Sequence, residues 1–123
     1  MKEVLFYYLF LRIRKYMIKV TITNNQISVI GHAEYAPHGQ DIVCATVSAL
    51  LQTFIMSVEE LTDDKIICDI SAGNAVIKYK ELSKQLKLLV SSFLIGIQAI
   101  SAGYPQYVEY SPSLEDVKSK GMK

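Results

Sequence analysis

"GHAEYAPHGQDIVCATVSALLQ", residues Gly31 to Gln52, changes its hydrophobic period in the middle, and that change decides the fold. Upstream of it, Ile18, Val20 and Ile22 alternate with Lys19, Thr21 and Thr23, the period of a half-buried strand. Asn24-Asn25 supplies a turn, and Gln26 to Ala33 resumes the alternation through Ile27 and Val29, so a hairpin delivers His32 at the end of its second strand, at the sheet edge. Glu34 to Gln40 holds Pro37 and Gly39 and reads as a loop. From Asp41, an N-cap residue type, Val43, Val47, Leu50, Leu51, Phe54, Ile55 and Val58 recur at helical spacing, which predicts a buried helix from Ile42 to about Glu60.

The rest of the chain repeats the theme. Lys65–Ser71 and Ala75–Lys80, joined by Ala72-Gly73-Asn74, read as a second hairpin. Leu82, Leu86, Leu89, Phe93, Ile97 and Ile100 carry the strongest helical stripe, predicting a helix over Leu82–Ala102 that Gly103 and Pro105 stop. Gln106–Tyr110 adds a last strand. The order ββαββαβ implies an α/β sandwich, an α+β arrangement in which a mainly antiparallel sheet carries two helices.

A length of 123 residues with 50% hydrophobic content suits one domain with a real core. Thirteen Lys plus Arg against twelve Asp plus Glu leave a charge of +1, which does not suggest a nucleic-acid binder. The regular pattern begins at Met17 and ends near Tyr110, so residues 17–110 are taken as the domain, 1–16 as a leader and 111–123 as a polar tail. In the leader, "MKEVLFYYLFLRIRKY", the apolar run is far short of the roughly 20 residues that span a bilayer. Its basic cluster follows that run, opposite to a signal peptide. The leader is expected to be non-native, read from an upstream start codon ahead of Met17, or accessory. Nothing marks a secreted chain, so Cys44 and Cys68 are expected as thiols in a reducing cytoplasm.

Cys44 falls in the first turn of the predicted helix, where unpaired N–H groups and the helix dipole favour a thiolate. A dipole contribution of roughly 0.3–1 kcal/mol lowers a thiol pKa by only about 0.2–0.7 unit, too little to ionise it near neutrality. A base is required, and His32 is placed to supply it. The alternatives stay open on these residues: Cys44 as a small core hydrophobe, His32 as a strand-end cap, His38 as a solvated loop residue, Ser48 as a helix serine bonded back to a carbonyl. Cys68, in "IICDI", is expected in the core. A zinc site of His32, His38 and Cys44 with Asp41 or Glu34 is disfavoured, because the spacing of six and six fits no common pattern.

The residues "GHA" followed, after a short loop, by "GQDIVCATVS" resemble the signature of the ribosomal-processing cysteine proteases, the Prp family, from Met17 to about Tyr110. The resemblance implies Cys44 as nucleophile and His32 as general base, with Gly31, Ala33, Gly39, Asp41 and Ser48 as supporting motif positions. It implies hydrolysis that removes the N-terminal extension of a large-subunit ribosomal protein, the twenty-seventh. It further implies a cytoplasmic homodimer with no metal or other cofactor, no nucleic-acid partner and no membrane. N–H groups at the helix start would receive the oxyanion, and the Glu34–Gly39 loop, with Gly39 as hinge, would admit the peptide. The alternative is a non-catalytic ribosome-associated binding module.

Overall fold

The computed structural model describes residues 17–32 and 41–113. Its elements are β1 (Ile18–Ile22), β2 (Gln26–Ile30), α1 (Ile42–Leu61), β3 (Ile66–Ser71), β4 (Asn74–Tyr79), α2 (Lys84–Gly103) and β5 (Val108–Pro112). The order is the expected ββαββαβ. The five strands form one sheet in the order β3-β4-β2-β1-β5, antiparallel at every pairing except β1 with β5. That parallel pair follows from α2, a crossover that returns the chain to the far edge of the sheet.

Register explains the core. Val20 pairs with Val29 and Ile22 with Ile27, while Ile77 lies opposite Ile27 and Ala75 opposite Val29. Side chains alternate along a strand, so these residues share one face with Ile18 and Val108, and both helices cover it. Val43, Val47, Leu51, Phe54 and Val58 form the buried stripe of α1, and Leu86, Val90, Phe93, Leu94 and Ile97 that of α2. Phe54 and Phe93 meet between the helices with ring centroids 5.7 Å apart and tilted by 52°. Gly96 lets the helices approach, since a Cβ there would lie 2.6 Å from Leu50 Cδ2. By length and composition alone both helices are apolar enough to cross a membrane. In the fold their stripes are spent on the sheet and on each other.

Several boundaries differ from expectation, each for a local reason. Ser83 caps α2 through Leu86 N–H at 3.0 Å and donates to Asp64 Oδ2 at 2.5 Å, so the helix starts at Lys84 instead of Leu82. Gly103 is the last helical residue and has no positive φ; the stop comes from Pro105, which has no N–H and cannot extend the ladder. β5 runs to Pro112, with Ser113 N–H bonded to Ile22 O at 2.7 Å, because its pairing with β1 continues to the end of that strand. β2 is the middle strand, so His32 leaves the end of a central strand and not the sheet edge. Cys68 is exposed, not in the core: it points to the helix side of β3, but the helices leave most of this edge strand uncovered.

Candidate active site

One end of the sandwich gathers the ends of four elements. β2 runs out there at Ile30, β1 enters at Ile18, α1 begins after Asp41, and the β3–β4 turn closes at Ala72-Gly73. Between α1 and the sheet lies a groove of about 180 Å³ whose walls include His32, Cys44, Ser48 and Gly73, with an apolar floor from Ile18, Val29 and Val47. His32 and Cys44, twelve positions apart in the chain, therefore open into the same space.

Backbone geometry fixes the histidine end. Gly31, with φ +103°, turns the chain out of β2, and a Cβ at this position would collide with the carbonyl oxygen of Met17. A side chain is thus barred both sterically and conformationally. Gly31 N–H donates to Gly73 O at 2.8 Å, which ties the end of β2 to the β3–β4 turn. His32 follows at once, exposed to solvent, with its imidazole over Gly73.

The cysteine end is set by a helix cap. Asp41 Oδ1 accepts hydrogen bonds from Val43 N–H and Cys44 N–H, both at 3.0 Å, and Asp41 O accepts from Ala45 N–H at 3.1 Å. Asp41 therefore has a structural role as N-cap, which orients the first turn and with it Cys44. While Asp41 caps the helix, the N–H groups of Val43 and Cys44 are bonded to its carboxylate, so among the N–H groups at the helix start these two are already partnered. That carboxylate also offsets the positive helix end, which weakens the helix's own contribution to stabilising a thiolate there. Ser48 lies one turn beyond Cys44 and lines the same groove. Both cysteines are thiols. At Cys68, desolvation and then the Glu59 carboxylate push the thiol pKa up, so this exposed sulfur is held in its neutral form.

Ala33, Gly39 and His38, with the loop that was expected to move, lie outside the described residues. Among the described residues no cluster of three or more metal-ligating side chains occurs. The groove also includes residues that periodicity had assigned only to packing or to a turn: Leu51, Ile55, Ile70 and Gly73. Local sequence holds no signal for Ile70 or Gly73, since their place beside His32 depends on β4 pairing with β2.

A thiol in the first turn of a helix and an imidazole at a strand end, sharing one groove, are the parts of a cysteine hydrolase. Residues 17–109 match the family model of the cysteine protease Prp. The chain belongs to the Prp family of cysteine proteases. It is 25% identical over 107 residues to the ribosomal processing cysteine protease Prp of Mycoplasma pneumoniae, covering 81% of this chain and 99% of that one. It is 28% identical over 96 residues to that of Mycoplasma genitalium, covering 75% and 92%. A crystal structure of an essential ribosomal processing protease Prp from S. aureus, in complex with a covalently linked product peptide, shares the fold with a TM-score of 0.75. It is 24% identical and covers 79% of this chain and 100% of that chain.

Proposed function

We propose that this protease removes the N-terminal extension of a large-subunit ribosomal protein, the twenty-seventh, with Cys44 as nucleophile and His32 as general base. The observation that carries the reading is the shared groove of His32 and Cys44. His32 takes the Sγ proton, and the thiolate attacks the scissile carbonyl carbon to give a tetrahedral oxyanion. As that intermediate collapses, His32 returns the proton to the departing amine, leaving an acyl group on Cys44. A water molecule then releases the acid and regenerates the thiol. The relatives named as ribosomal processing proteases support the substrate class.

The protein is read as a cytoplasmic homodimer that needs no metal and no nucleic acid. Exposed Met56, Leu88 and Ile95 on the two helices supply apolar area for a second copy. The direct test incubates the chain with the extended ribosomal protein of its own source and reads the products by mass spectrometry. One defined cut near the start of the substrate, lost in Cys44→Ala and in His32→Ala, is the expected result. Binding without any cut would leave a ribosome-associated module and sink the proposal.

A further inference from the structure

We propose that Gly73, in the β3–β4 turn, is the positioning residue for His32, and that the bare Cα of this glycine is the seat on which the imidazole rests. The proposal builds on the reading of His32 as the base and adds a residue that reading does not contain.

Three observations meet at this position. A Cβ built on Gly73 would collide with His32 Nε2 and would lie 3.0 Å from Cδ2 and 3.2 Å from Cε1, so the ring covers the face of Cα from which a side chain would project. Gly73 has φ +71°, a conformation in which a residue with a side chain is strained, so the turn selects glycine for its backbone as well. Finally, Gly73 O accepts from Gly31 N–H, and Gly31 immediately precedes His32. The turn thus holds the histidine twice, through the backbone that launches it and through the surface beneath its ring. An exposed imidazole without such a seat would sample several rotamers, and a base is effective only within hydrogen-bond reach of its proton.

The two demands on Gly73 separate experimentally. Asparagine tolerates a positive φ, so Gly73→Asn preserves the turn while placing a Cβ where the ring lies. In this variant kcat for peptide cleavage should fall on the order of 100-fold, the size of effect a displacement of about 1 Å produces, with KM little changed. D-alanine at position 73, introduced by ligating residues 1–67 to a synthetic 68–123 segment at Cys68, favours the same φ but projects its methyl from the opposite side of Cα. This chain should lose far less kcat than Gly73→Asn. Gly103→Ala, whose added Cβ meets nothing within 4 Å, is the control and should be unaffected. In the unaltered protein, NMR should show contacts from the His32 ring protons to the Gly73 α-protons, a measurement that holds even if a variant fails to fold. The proposal is overturned if those contacts are missing, if Gly73→Asn keeps its kcat, or if the D-alanine chain loses as much as Gly73→Asn. Failure of the underlying reading has a different signature, namely His32→Ala cleaving at the unaltered rate while the ring contacts to Gly73 are present.

Discussion

Two cysteines in one small protein meet opposite fates through their neighbours. Cys44 sits half-buried in a capped first turn facing an imidazole-bearing groove, whereas Cys68 is exposed but held neutral by desolvation and by Glu59. Exposure alone does not decide reactivity, because the thiolate and not the thiol is the nucleophile. Iodoacetamide is expected to alkylate Cys44 well before Cys68 near neutral pH, with peptide mapping as the readout. Equal rates would mean that the groove does nothing to its thiol. Cys44→Ala should abolish cleavage and alter stability by no more than about 1–2 kcal/mol, since it removes one small, partly exposed group. The candidate pair was legible from residue type and place, an N-cap three positions before a cysteine and a histidine at the end of an alternating run. Gly73 was not, because a turn glycine looks the same whether or not a side chain rests on it.

At the scale of elements, caps and turns carry the precision of the site. Asp41 holds two N–H groups of α1, so Asp41→Ala should cost about 0.5–2 kcal/mol in urea unfolding, while Asp41→Asn, which keeps an acceptor oxygen, should cost less. A larger loss of cleavage than of stability in Asp41→Ala would show that the cap serves the geometry of Cys44. At the opposite end of the sheet, Tyr79 on β4 donates its hydroxyl to Thr23 O at 2.7 Å and thereby braces the β1–β2 turn. Burial raises its pKa above the ordinary 10.0. The unfolded chain therefore loses this proton first, binds fewer protons than the fold above about pH 10, and stability falls as pH rises through that range. Below the ordinary value the phenol is neutral in both states and its contribution is complete. Tyr79→Phe should cost about 0.5–1.5 kcal/mol near neutral pH and show a shallower alkaline decline, measured by unfolding at a series of pH values. An unchanged alkaline slope would assign that loss to other groups.

For the whole molecule, the buried core of the described residues runs from Ile18 to Val108. Its largest buried side chains come from all layers, Ile22 and Ile27 from the first hairpin, Ile77 from the second, Phe93 and Leu94 from α2. Because the regular strand pattern begins at Met17, a chain starting there is expected to fold with an unaltered urea midpoint and to cleave at the rate of the full chain. A marked drop in either would mean that the apolar leader packs on the domain or on a second copy.

What the sequence determined by itself was whatever depends on near neighbours: the ββαββαβ order, the face each helical stripe presents, the cap at Asp41 and the place of Cys44 in the first turn of α1. Period, capping and turn chemistry act over a few residues, so they can be read without the fold. Tertiary structure alone decided the strand order and its parallel β1–β5 pair, the central place of β2, the exposure of Cys68 at an uncovered edge and the end of β5 at Pro112. It also brought Gly73 beneath His32, forty-one positions away in the chain. The reason is that pairing energies between strands are long-range and similar for many partners, and only the simultaneous burial of every apolar face selects among them.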